Sequence, residues 1–290
     1  MPVAFRLYLP EAWIRDRERR KKTGVPKSIQ FQTKSEIALE QIRRARDRGI
    51  PQGVVLADAG YGNDTNFRSA LTAMDMSYVT GIQSAITVWK AGEGPAPPRA
   101  RTSNIGRPRK LLRRDSKHQP VSVKELAASL PADAWKDVAW RQGVKKKLKS
   151  RFAALRVRPA HRDYWRAEPR PEEWLLIEWP ASESEPTKYW LSTLPADTPL
   201  AELAHMAKHR WIIERDYQEL KQELGLGHYE GRGWRGFHHH ATLCIAAYGF
   251  LVAERNRFFP SARIGNLGLP APEPPPDFRP RGSPRSSRAA

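Results

Sequence analysis

Val54-Val55-Leu56-Ala57-Asp58-Ala59-Gly60-Tyr61-Gly62 is the stretch on which the fold turns. Four apolar residues, Val54 and Val55 β-branched, run into one carboxylate and then into a turn with two glycines. That order predicts a buried strand whose C-terminal end presents Asp58, the place where open α/β sheets keep their chemistry. Upstream, Thr33 or Ser35 caps a predicted helix over 34–48 with Ile37, Leu39, Ile42 and Ala45 on its apolar face, ended by Gly49. Downstream, a helix over about 66–74 and a strand over 77–82 complete an α/β signature.

A strand-end carboxylate needs partners, and the best set lies in Ala207-Met-Ala-Lys-His-Arg210-Trp-Ile-Ile-Glu214-Arg-Asp-Tyr217-Gln-Glu-Leu-Lys221. Arg210, Glu214 and Lys221 are spaced by four and seven, so on one helix they fall within roughly 40° of each other. A carboxylate between two cations suits a site that holds a metal ion and a phosphate together. The same spacing also describes an exposed helix with ordinary i,i+4 ion pairs. The helix is expected to start at Thr198 or Pro199 and to end near Gly225.

These residues resemble the DDE insertion-sequence transposases, whose last catalytic carboxylate sits in a Tyr-x2-Arg-x3-Glu-x6-Lys helix. Arg210, Glu214 and Lys221 match that signature, while Ala207 stands where it has tyrosine. The stretch around Asp58 is similar to the family's second catalytic aspartate, and Arg6-Leu-Tyr-Leu-Pro-Glu-Ala-Trp13 to the segment before it. The resemblance covers most of the chain from Arg6 to about Arg255. It implies an α+β, ribonuclease-H-like catalytic core, Mg2+ or Mn2+ held by Asp58 and Glu214, and phosphate contacts from Arg210 and Lys221. It also implies a homodimer acting on insertion-sequence ends and target DNA. The family's first aspartate has no match, because Asp16 and Asp47 lie in arginine-rich helical stretches. The expectation is a chain truncated at its N-terminus, with an incomplete core.

Composition agrees with a polyanionic partner. The 290 residues carry a net charge of +19 and a pI near 10.3. The single cysteine, Cys244, rules out an internal disulfide framework and a cysteine-based zinc site, and is expected to be a buried core thiol. No apolar run is long enough to span a bilayer, which places the chain in the cytoplasm, on the nucleoid.

The basic residues concentrate in three places. Between Arg99 and Arg114 stand six arginines and one lysine with no acid, around Gly106-Arg107-Pro108-Arg109. This linker is either a solvated basic loop or a minor-groove hook. Arg141 to Arg170 holds seven arginines and four lysines against two acids, with Lys145-Lys146-Lys147 near Trp140 and Trp165 suited to DNA backbone and unpaired bases. The third place is His228-Tyr-Glu-Gly-Arg232-Gly-Trp-Arg235-Gly, a glycine-rich loop able to approach phosphates closely.

The expected organisation is therefore 1–90 as the first part of the catalytic core, 91–198 as basic linker and β-rich insertion, 199–258 as core helices, and 259–290 as a disordered Pro/Arg-rich tail. Within these parts, Phe5 to Leu9 is predicted as a strand, 11–22 as a helix, 121–130 as a helix capped by Ser122, and 152–157, 174–179 and 189–192 as strands. Trp174, Trp179 and Trp190 are expected in the core. Phe237 to Phe258 is a final apolar helix, and its His238-His239-His240 is a poor metal cluster because neighbouring helix positions point about 100° apart. Two alternatives stay open beside an active transposase: a DNA-binding remnant without chemistry and, more distantly, a methyltransferase-like protein with a glycine-turn site for S-adenosylmethionine.

Overall fold

The computed structural model describes residues 2–99, 110–116, 119–142 and 147–258. Arg107, Arg109, Lys145, Lys146 and the tail from 259 lie outside the described residues. Lys147 is the first residue of a strand.

The chain forms an α+β structure around one mixed sheet. Helices α1 (Glu11–Arg15), α2 (Arg17–Thr23) and α3 (Lys34–Asp47) come first. They are followed by β1 (Val55–Ala57), α4 (Ala59–Gly62), α5 (Thr65–Ala73), β2 (Tyr78–Ile82), β3 (Thr87–Lys90), β4 (Val121–Ser122) and α6 (Val123–Ala128). Strands β5 (Lys136–Gln142), β6 (Lys147–Pro159), β7 (Glu173–Trp179) and β8 (Lys188–Ser192) lead into α7 (Leu200–His209), α8 (Trp211–Gln222) and α9 (Trp234–Phe258).

The sheet order is β1-β2-β8-β7-β6-β3-β4, with β5 paired to β6. Only β1 and β2 run parallel, as their joining crossover through α4 and α5 allows, and the other pairings are antiparallel. The strands of the 91–198 stretch thus extend the sheet that β1 begins. Alternation along β7 divides the core into two layers. Leu175 and Ile177 face a layer containing Leu39 of α3, Phe67 and Leu71 of α5 and Leu126 of α6. Leu176 faces the other layer, with Leu203, Ala204 and Ala207 of α7. Covered on both faces, β7 reads as a nearly continuous apolar run. Trp174 and Trp190 pack on the second layer at half burial, whereas Trp179 stands edge-on to Trp135 at 5.3 Å with Arg151 over its ring.

Local signals account for several boundaries. Thr33 and Glu36 form a reciprocal capping box at the start of α3, and Ser122 and Glu125 do the same for α6. Two elements expected in the N-terminal segment differ from the structure. Residues 5–9 form no strand; Phe5 instead packs against Phe237 and His238 of α9. The predicted helix over 11–22 is two short helices, because Asp16 takes an extended backbone and accepts from the Arg19 amide to cap the second.

A buried carboxyl gives this core a pH dependence. Glu173 is 7 % exposed, and its Oε2 has no hydrogen-bond partner among the described residues. Burial pushes its pKa above the usual 4.5, although Arg68 and Tyr78 pull it down. A raised acid retains a proton in the folded chain that the unfolded chain has released. Its contribution is then full below the unfolded value and is lost as pH rises through the folded one. Thermal unfolding over a pH series should show the wild type losing stability relative to Glu173→Gln as pH rises above 4.5. Parallel curves for the two proteins would contradict this assignment.

Candidate active site

Asp58 follows directly on β1 and caps α4, its Oδ1 accepting from the Gly60 amide at 2.9 Å. That bond fixes one carboxylate oxygen on the turn and leaves Oδ2 to face outward. The turn itself is clamped to β2. A Cβ on Gly62 would lie 1.8 Å from the Gly81 carbonyl oxygen, and one on Gly81 would lie 3.2 Å from the Ala59 nitrogen. The Asn63 side chain accepts from the Gln83 amide at 2.8 Å, and Arg68 donates to the Gly62 carbonyl. The glycines of this turn therefore serve close packing between α4 and β2. Tyr61 packs beside Phe67 at 5.6 Å, and burial, followed by the Asp58 charge, pushes its hydroxyl pKa upward.

The second half of the site comes from the C-terminal helices. The single helix expected from 198 to 225 is interrupted at Arg210, so that α7 packs on the sheet and α8 begins afresh at Trp211. No glycine or proline marks the break. Its effect is visible in the side chain of Arg210. One terminal nitrogen lies 2.7 Å from Glu214 Oε1, and the other lies 3.7 Å from Asp58 Oδ2. The contact with Glu214 is an ordinary i,i+4 pair, like Arg215 with Glu219. The contact with Asp58 is not local, and it joins the strand end to the helix. With side chains 48 % and 66 % exposed, Asp58 and Glu214 add little to stability through this bridge.

Lys221 stands apart from that group, with its ammonium 4.3 Å from the Tyr217 ring. Ala207, at the position where the signature has tyrosine, is buried in the sheet-facing core. Arg232 is exposed on the loop entering α9, and Arg235 is exposed in the first turn of that helix. Cys244 is buried with Leu220 and Tyr248, its thiol donating to the Leu224 carbonyl. His238 contacts the Trp234 carbonyl and His240 the Gly225 carbonyl. Sequence reasoning missed Gly81 and Asn63, which fix the Asp58 turn. A glycine inside an apolar strand pattern was the available signal, since it often marks close backbone approach.

The family profile described as DDE superfamily endonuclease matches residues 1–147 of this chain. The chain belongs to that family. Among curated proteins none matches it. DDE endonucleases act on DNA and generally use divalent metal ions, and the donor chemistry here can be tested against that requirement. Asp58 and Glu214 are two exposed carboxylates from different elements converging on one cation, a set of hard oxygen donors suited to Mg2+ or Mn2+. Among the described residues no group of three or more acidic, histidine or cysteine side chains is placed to hold a metal. The matched region contains Asp58, while Glu214 lies beyond it. No helix among the described residues is long and apolar enough to cross a membrane.

Proposed function

We propose that this DDE endonuclease is a transposase that cuts and joins DNA strands with divalent metal, Asp58 and Glu214 being the protein's metal ligands. The observation that carries the reading is the shared guanidinium: Arg210 reaches Asp58 at the end of β1 and Glu214 on α8. Opposite charge already occupies the place between the carboxylates, which is the electrostatic position a divalent ion would take. When bound, such an ion would activate the attacking oxygen and stabilise the leaving one in an in-line displacement at phosphorus. Arg210 would then turn towards a DNA phosphate, for which its bidentate fork is suited. Arg235 and Lys221 add positive charge on exposed helix surface and strengthen nonspecific attraction to DNA.

One observation favours a second reading. Only two carboxylates converge among the described residues, and Arg210 pairs with both. A DNA-binding relative without chemistry would keep this arrangement as a salt bridge. Incubating the full chain with supercoiled plasmid separates the two. The transposase reading expects nicked product with Mg2+ or Mn2+ and none in chelator. Salt-sensitive DNA binding that is indifferent to metal, with no nicking, would overturn it in favour of the second.

A further inference from the structure

A cavity of about 750 Å³ lies between the N-terminal segment and the glycine-rich loop before α9. Its size falls within the range of about 300–1,000 Å³ typical of sites that hold a small molecule. Five aromatic side chains line it: Tyr8, Trp13, Tyr229, Trp234 and Phe237. Arg19, Lys22 and Arg232 are the charged residues of the lining, and no carboxylate is among them. The neighbouring cavity of about 870 Å³ differs in both respects, since Glu40 faces it and its cations include Arg6 and Arg44, both paired with that carboxylate.

The walls are built for this combination. Tyr229 folds beneath its own loop, its hydroxyl donating to the Gly233 carbonyl at 3.0 Å, and a Cβ on Gly231 would lie 2.4 Å from its ring. Tyr229 and Phe237 meet edge to face at 5.9 Å. Across the cavity, Arg19 sits 5.0 Å from the Trp13 ring centre and is tied to Asp16 at 3.4 Å. That leaves the exposed Lys22 and Arg232 as the cations able to accept an anion.

We propose that this cavity is a subsite for one unpaired nucleotide of a DNA strand, its base stacked against Trp13 and Trp234 and its phosphate held by Lys22 and Arg232. Aromatic walls need a π-face, and a base within a duplex has both faces covered by its neighbours. Only an unstacked base can offer one, and stacking of that kind tolerates any sequence. A glycine-rich loop lets the backbone come close to the phosphate. The inference rests on DNA being the partner proposed above, but it does not depend on the Asp58 and Glu214 site being active.

The test uses the full chain and a short single strand with a central 2-aminopurine, alongside the same probe in blunt duplex. Stacking is expected to quench the probe in the single strand. Trp13→Ala and Arg232→Gln are each expected to weaken single-strand binding about tenfold and leave duplex binding within about twofold. Arg232 is exposed on a loop, so its variant tests the idea even where Trp13→Ala fails to fold. Wild-type single-strand affinity in Arg232→Gln, or an equal loss on duplex and single strand, would overturn the subsite. Quenching that requires Trp13 in a chain that never nicks plasmid would keep the subsite and reject the transposase reading. Nicking without quenching would do the reverse, and absence of DNA binding altogether would reject both.

Discussion

Asp58→Asn is expected to abolish metal-dependent nicking, with a loss on the order of a thousandfold or more, because removing one anionic ligand takes away several kcal/mol of charge stabilisation at the reacting phosphate. The substitution isolates charge from structure. Asn serves as well as Asp at a helix N-cap, and its side-chain oxygen can keep the 2.9 Å bond from the Gly60 amide. The bridge it weakens, Oδ2 to Arg210 at 3.7 Å, is exposed and worth less than about 1 kcal/mol. Thermal stability should therefore stay within about 1 kcal/mol of wild type. DNA affinity should hold or rise slightly, since a negative charge leaves a strongly basic surface. Plasmid nicking and duplex binding, measured on the same preparation, check both parts. Undiminished nicking by Asp58→Asn would remove this carboxylate from the chemistry, and equal loss of binding would make its role structural.

How much of this was legible in the sequence depends on the kind of signal each element carries. β1 and β7 announce themselves because both faces are covered and their residues are mostly apolar, Glu173 and Glu178 of β7 excepted. The starts of α3 and α6 are written in Thr33 with Glu36 and in Ser122 with Glu125. Strand β5, Lys136-Asp-Val-Ala-Trp-Arg-Gln142, was missed because Val138 alone is buried among residues 136–140 and the charged residues break up the apolar pattern. The segment from Phe5 to Leu9 shows the opposite case. Its pattern suits a strand, but Phe5 packs on α9 instead. The site itself was half visible. Spacing placed Arg210 and Glu214 on one face, and their 2.7 Å pair follows from helix geometry alone. The arrival of Arg210 at Asp58, 152 positions away, depends on α7 crossing the sheet and on a helix break that no residue propensity forecasts. That part of the site is a product of tertiary structure.

Gly62→Ala should be the most damaging single methyl group in the chain's N-terminal half. A Cβ there would stand 1.8 Å from the Gly81 carbonyl oxygen and 3.0 Å from that carbonyl carbon, and both are backbone atoms of β2 that no rotamer change can move. Relief requires α4 to separate from β2. That would strain the Asn63 bond to the Gln83 amide and the Arg68 bond to the Gly62 carbonyl. Overpacking of this kind costs about 3 kcal/mol. For a chain of this size that lowers the melting temperature by roughly 6–12 °C. Gly53→Ala is the matched control, because a Cβ there meets nothing within 4 Å and its backbone is not in the left-handed region. The control should be neutral or stabilising by about 0.5 kcal/mol, through a less flexible unfolded chain. Because Asp58 caps the same α4, any Gly62→Ala protein that still folds should also nick poorly while keeping its DNA affinity, since displacing the turn moves one carboxylate away from Arg210 and Glu214. A Gly62→Ala protein that melts and nicks like wild type would show that the clamp between α4 and β2 neither holds the fold together nor positions Asp58.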